Sequence, residues 1–292
     1  MLGKLSVVYG NQSISLENIT TLAVLGDNGI GKTAFLERIA LVNEDNISAI
    51  LNAKGSFSYE KFSVNIDGEE KRCERASAER VLSRFGLIHF PLEGQTYICE
   101  GNIRYKVSIV YPYTFQKPIH NEHYGLPVKP NDEDMKFNEM IKGFVDGDGI
   151  VIPFYSYIAT TFYSYYGYLD FTYQSGDNVT YLDNLGRGVS NSVKLLWLVY
   201  RYKPEILLID DIESLGLSPK RLKMLLKWFT EYIRENKLKA LLFTTNSDAY
   251  VHLAEVDENA KFLLLQKDNH IAMDREEVLS GRGAEQDGQG RA

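Results

Sequence analysis

The chain has 292 residues, 44% of them hydrophobic and 24% charged, with a formal net charge of -7. That length holds one large α/β domain or two small ones, and the composition is that of an ordinary globular protein rather than a disordered or fibrous one. The acidic balance excludes a chain that is basic throughout, while leaving room for a local basic groove that would meet DNA.

No apolar run approaches the roughly 20 residues that span a bilayer. Met1–Tyr9 lacks the basic-then-apolar layout of a signal peptide, so a cytoplasmic protein with no membrane contact is expected. Cys73 and Cys99 have no metal-ligand spacing and are expected as buried thiols, with one disulfide as the alternative.

Two short apolar runs, Leu5 to Val8 and Leu22 to Leu25, read as strands, and the second feeds directly into a glycine loop. A helix is expected from Lys32 to about Val42. Phe57 to Ile66 alternates as a half-exposed antiparallel strand does, and Tyr97 to Cys99 and Ile103 to Val110 continue that pattern across a turn at Gly101-Asn102. The stretch 114–134, with Pro118, Pro127 and Pro130, reads as a loop. Phe137, Met140, Ile141 and Phe144 then mark an amphipathic helix from Asp134.

Past Asp146-Gly147-Asp148-Gly149 the pattern changes. Apolar strands at Ile150 to Phe154, Ile206 to Ile209, Leu238 to Phe243 and Phe262 to Leu265 alternate with helical stretches at about 190–202 and 220–235. That alternation implies βαβ units and a buried parallel sheet. The tail 280–292 is nearly devoid of apolar residues and is expected to be disordered.

The expected fold is therefore α/β, with a mainly parallel core sheet flanked by helices and an N-terminal antiparallel β lobe. We expect a single head over 1–279. It comprises an antiparallel lobe to about 112, a helical and linker part over 113–180 and a nucleotide core over 181–279.

Gly26-Asp27-Asn28-Gly29-Ile30-Gly31-Lys32-Thr33 fits the phosphate-loop pattern G-x-x-x-x-G-K-[ST] between an apolar strand and a helix, where its mechanism needs it. Its glycines let the backbone wrap a phosphate with N–H groups pointing inward, and the helix start at Lys32, Thr33 and Ala34 adds a favourable dipole. Lys32 is expected to reach the β- and γ-phosphates of ATP, and the Thr33 hydroxyl to ligate Mg²⁺.

Phosphoryl chemistry also needs a carboxylate at the end of a neighbouring buried strand. Ile206-Leu207-Leu208-Ile209-Asp210-Asp211 supplies it. Asp210 is the expected metal-side carboxylate and Asp211 the base that polarises water, with Glu213 as a weaker rival for that role.

Three further segments carry a resemblance. Leu185-Gly186-Arg187-Gly188-Val189 precedes a long helix, Leu215-Gly216-Leu217-Ser218-Pro219 follows the acidic strand, and Leu241 to Ser247 forms the next strand and its polar end. In this order they look like the signature motif, the loop after the acidic strand and the switch loop of an ABC-type ATPase head. The closest resemblance is to OLD-like and RecF/SMC-like heads.

That resemblance implies a homodimer across ATP, in which Gly186 and Gly188 of one head close over the γ-phosphate on the other. It also implies Asn246 at the switch position and Gln116, in Val110 to Gln116, as a metal-side glutamine. Asp211 stands where most such heads carry glutamate, Asn246 where they carry histidine and Gly186 where they carry serine. These departures point to slow hydrolysis, a switch rather than a motor.

DNA and a separately encoded effector protein stay open as partners. A nucleotide-gated scaffold without turnover, or an unrelated phosphate-loop NTPase or kinase, is the alternative function. The aromatic-rich stretch Phe154 to Tyr173 reads first as core or dimer surface. His120 and His123 lack the partners of a metal site. Lys220, Arg221, Lys223 and Lys227 read as a solvated helix face, with a DNA-facing ridge as the alternative.

Overall fold

The computed structural model describes residues 1–54, 61–76, 96–115, 130–145, 149–161, 164–267 and 269–280. Gln116, His120, His123 and the tail beyond 280 lie outside these residues. The chain forms two units, Met1–Thr114 with Lys203–Ser214 and Leu222–Ala292, and Phe115–Tyr202 with Leu215–Arg221.

In the first unit, β1 (Leu2–Tyr9), β2 (Gln12–Ile19), β4 (Lys61–Ile66), β5 (Glu69–Ala76) and β6 (Thr96–Gly101) make an antiparallel sheet in the order β2-β1-β4-β5-β6. Strand β4 shows the alternation that one solvated face demands, burying Phe62, Val64 and Ile66 and leaving Ser63 and Asn65 partly open.

A second sheet has the order β14-β13-β3-β12-β11-β7. Here β3 (Thr21–Leu25), β7 (Val107–Val110), β11 (Ile206–Ile209), β12 (Ala240–Thr244) and β13 (Lys261–Leu265) run parallel, and β14 (His270–Asp274) is antiparallel at one edge. β3, β11 and β12 are buried at every residue, as strands covered on both faces must be. Phe35, Leu36 and Ile39 of α1 (Lys32–Ala40) and Ile50 of α2 (Asn46–Lys54) join residues of both sheets in one core. Each such side chain contributes about 1.5–3 kcal/mol on burial.

Two expectations change in this unit. Ile103 to Val110 does not extend the antiparallel pattern, because Val107–Val110 pairs in parallel with β11 as an edge strand. Two asparagines make that edge tolerable. The Val107 N–H donates to Asn43 Oδ1 at 2.6 Å and the Ile109 N–H to Asn46 Oδ1 at 3.1 Å, while Asn46 Nδ2 donates to the Val107 carbonyl at 2.9 Å. Three polar groups on the outer side of the edge are thereby satisfied. Cys73 and Cys99 are not two thiols. The β5–β6 register sets them directly opposite, with Cα atoms 4.1 Å apart, and they form a disulfide.

The second unit contains a three-stranded antiparallel sheet of β8 (Ile150–Thr161), β9 (Ser164–Ser175) and β10 (Asn178–Tyr181). Ile150 to Phe154 therefore belongs to a hairpin and not to the parallel sheet. The partner strand follows immediately in the chain, and at Val151 the other edge of β8 is met by a side chain. Asn138 of α3 (Asp132–Met140) donates to the Val151 carbonyl and accepts from its N–H, both at 2.7 Å. Phe137 meets Trp197 of α4 (Arg187–Tyr202) edge-on at 4.8 Å, and Phe171 meets the same indole at 5.9 Å. Of the aromatic-rich stretch, Phe171 is thus core; the side chains of 154–170 lie outside the described residues.

Candidate nucleotide site

Strands β3, β12 and β11 lie side by side in one direction, so their C-terminal ends open on the same crevice, the usual ligand position in such sheets. The glycine loop leaves β3 there. Gly26 has φ 134°, and a Cβ on it would fall 2.5 Å from the Leu265 carbonyl oxygen. Only glycine fits between the loop and β13. Gly31, at φ 106°, is the N-cap of α1, and no side chain caps that helix start.

Lys32, the first residue of α1, is 7% exposed. Its Nζ donates to the Gly26 carbonyl, to the Asp27 carbonyl at 2.9 Å and to Asn246 Oδ1 at 2.5 Å. Burial pushes its ammonium below the ordinary lysine range, and Asp27, Glu213, Asp210 and Asp211 offset part of that.

β11 ends at Ile209, and Asp210 follows, 4% exposed, its N–H on the Val110 carbonyl at 2.9 Å. Asp210 Oδ1 accepts from the Thr244 hydroxyl at 2.8 Å. Asp211 sits at φ 56°, an uncommon conformation for a residue with a Cβ that aspartate tolerates better than most. Its carboxylate accepts from the Ser214 hydroxyl.

Glu213, the next acid along, turns toward the segment after β12. Its Oε1 accepts from the Thr245 hydroxyl, the Asn246 and Ser247 N–H groups, both at 3.2 Å, and the Ser247 hydroxyl at 2.7 Å. Its Oε2 is buried and makes no hydrogen bond.

A cavity of about 400 Å³ is lined by Asn28, Gly29, Gly31, Lys32, Thr33, Ala34, Tyr113, Asp210, Asp211, Thr244 and Asn246. Most of the expected phosphate and metal residues meet there. Gly26, Asp27 and Ile30 border a neighbouring cavity of about 620 Å³, together with Thr245 to Asp248 and Leu264 to Lys267.

Tyr113 went unremarked among the expected site residues. Burial, and then the charges of Asp210, Glu37 and Asp211, push its hydroxyl up to about 12, so it stays protonated at neutral pH. Its position just past β7 is the missing signal, because the end of a parallel strand faces the crevice and the end of an antiparallel one need not.

The Thr33 hydroxyl and the Asp210 carboxylate are hard oxygen donors of the kind Mg²⁺ takes, with phosphate oxygens and water supplying the rest. Among the described residues no group of three or more His, Cys, Asp or Glu could hold a metal by itself.

Gly186 and Gly188 belong to the second unit. Gly186 has φ 106° just before α4. A Cβ on Gly188 would lie 2.7 Å from the Gly216 carbonyl oxygen, the Arg187 stem packs 3.5 Å from the position of a Cβ on Gly216, and Asn191 Nδ2 donates to the Leu215 carbonyl at 3.2 Å. The segments 185–189 and 215–219 are thus packed on each other.

On the basic helix face, Lys223 pairs with Glu255 at 2.9 Å, Lys227 with Glu231 at 3.9 Å, and Arg221 donates to the Phe144 carbonyl.

No protein-family model matches the chain, and no curated protein matches it. Among solved structures, an SMC head bound to the C-terminal winged-helix domain of ScpA is similar, at 15% identity and a TM-score of 0.54, covering 96% of this chain and 99% of that one. The chain has the fold of an SMC head. An SMC head domain from Thermotoga maritima (14% identity, TM-score 0.48, 94% and 98% covered) and a bacterial Atm1-family ABC exporter with ATP bound (12%, 0.44, 95% and 40%) also match. Among the described residues, no helix of this head fold is long and apolar enough to cross a membrane.

Proposed function

We propose that the chain is an ABC-type ATPase head that binds Mg-ATP, dimerises on it and hydrolyses it slowly to control a partner protein or a DNA transaction. The carrying observation is the convergence of Lys32, Thr33, Asp210, Asp211 and Asn246 on one cavity at the ends of parallel strands. A phosphate chain laid along the loop meets inward backbone N–H groups, the Lys32 ammonium and the start of α1. Asp210 and Thr33 would hold Mg²⁺, which would supply charge neutralisation at the phosphate oxygens. Asp211 orients the attacking water. Gly186 and Gly188 meet the γ-phosphate of a second copy, and residues 1–279 make one head. Kinship with OLD-like heads is part of the same proposal.

The test is titration of a fluorescent ATP analogue into the wild type and Lys32→Ala, with phosphate release followed on the same samples. Unchanged affinity in a natively folded Lys32→Ala protein removes the assignment. A second reading, a nucleotide-gated scaffold without turnover, is favoured by the Ser214 hydroxyl that bonds one oxygen of the Asp211 carboxylate and competes there with water. Mg-ATP binding without phosphate release selects it.

A further inference from the structure

Lys32 Nζ is fully engaged by the protein itself. An ammonium has three protons to donate, and all three have acceptors here, the Gly26 and Asp27 carbonyls and Asn246 Oδ1. A phosphate oxygen that reaches Nζ must displace one of them. The two carbonyls belong to the phosphate loop itself. Asn246 is the one acceptor that is a side chain, it is exposed, and it comes from the neighbouring strand end.

Asn246 is held in place from below. Glu213 Oε1 gathers four donors from Thr245, Asn246 and Ser247, including two backbone N–H groups. Hydrogen bonds to an ionised acceptor are roughly twice as strong as neutral ones. The three-residue segment is therefore pinned to one carboxylate, and its exposed amide projects onto Lys32.

We infer that Asn246 competes with phosphate for Lys32, and that Glu213 is the positioning residue that keeps it there. Resting on the nucleotide-binding reading above, this assigns the pair a role in selecting triphosphate over diphosphate. A triphosphate compensates the displaced amide, because the Asn246 NH₂ can donate to the γ-phosphate. A diphosphate displaces the same amide and offers it nothing. The diphosphate product is thus held less tightly than the loop alone would hold it.

Equilibrium titrations of Mg-ADP and Mg-ATP into the full chain test this. Asn246→Ala is expected to bind ADP about three- to tenfold more tightly, the worth of one net hydrogen bond, and to gain nothing for ATP, so that the ATP-to-ADP preference falls. Glu213→Ala is expected to move ADP affinity in the same direction by freeing the segment. Glu213→Gln, which keeps an acceptor oxygen, is expected to restore the wild-type preference; a residue acting as base would not be rescued by that change.

ADP affinity that is unchanged or weaker in Asn246→Ala overturns the inference, whatever Glu213→Ala does to folding, since Asn246 is exposed and its truncation leaves the core intact. Wild-type protein that binds neither nucleotide overturns the proposed function instead, so the two failures are distinct.

Discussion

The Thr244 hydroxyl ties the two strand-end acids together, donating to Asp210 Oδ1 at 2.8 Å and accepting from the Asp211 N–H at 2.7 Å. Thr244 is 2% exposed, so its hydroxyl is poorly replaced by bulk water. Thr244→Val keeps the shape and deletes both. The Asp211 N–H loses its partner at a cost of about 1–3 kcal/mol, and the Asp210 carboxylate loses the contact that orients it. Denaturant unfolding should register the first effect, and weakened Mg²⁺-dependent nucleotide binding the second. Thr244→Ser, which keeps the hydroxyl, should restore most of both. A valine variant with wild-type stability and binding removes Thr244 from the site.

The backbone of Asp211 makes a separate prediction. At φ 56° a short Asx side chain is favoured over longer ones. Asp211→Asn should therefore fold and melt as the wild type does, bind ATP, and release no phosphate. Asp211→Glu lengthens the acid by one methylene and should lose about 1 kcal/mol of stability to the left-handed conformation. Thermal melts with phosphate-release assays on both variants decide it. An Asp211→Asn protein that hydrolyses at the wild-type rate removes Asp211 as the base.

What could be read in advance follows the range of the interactions. The loop 26–33 and the strand Ile206–Ile209 with its two acids are local patterns, and both stand where the sequence places them. Val107–Val110 and Ile150–Thr161 are strands whose sheet was misjudged, because the partner is chosen by tertiary contacts. Asn46 is 61 residues from Val107 and satisfies its carbonyl; nothing in either segment announces the other. β2, polar at every solvent-facing position, left no apolar run to detect. Glu213 was legible as an acid but not as a clamp on 245–247, which depends on two strand ends lying side by side.

Lys71 gives a pH test of the antiparallel sheet. It is 8% exposed and its Nζ donates to the Val42 carbonyl at 3.0 Å. Burial lowers its pKa from 10.5, with Glu44 acting weakly the other way. Between the lowered folded value and the unfolded 10.5, the unfolded chain keeps the proton that the folded chain has released. The unfolded state then binds more protons, so this group's contribution to stability rises with pH in that window. The stability of wild type minus that of Lys71→Met should accordingly climb on going from neutral pH toward 10. A flat difference contradicts the burial argument.

The last prediction concerns the contribution of one head to the site of another. Gly188 is a poor place to test it, because a Cβ there meets the Gly216 carbonyl oxygen at 2.7 Å. Any side chain at 188 should cost about 1–3 kcal/mol of overpacking in the second unit, so a failed dimer would say nothing about phosphate. Arg187 is the better probe. Its stem lies 3.5 Å from where a Cβ on Gly216 would stand, and in the proposed dimer its charge would meet the γ-phosphate of a second copy. In an Asp211→Asn background, Mg-ATP should drive the chain from monomer to dimer in sedimentation. Arg187→Glu should stop this by opposing like charges, while Arg187→Ala should weaken it; ATP binding to the monomer should survive in both. Mixing Lys32→Ala with Arg187→Glu, each with Asp211 restored, permits a dimer with one undamaged composite site, so partial recovery of phosphate release places Arg187 in trans. If Arg187→Glu dimerises on ATP as its parent does, the signature segment has no part in the site, and only the loop, the two acids and the Asn246 segment are left to explain nucleotide binding.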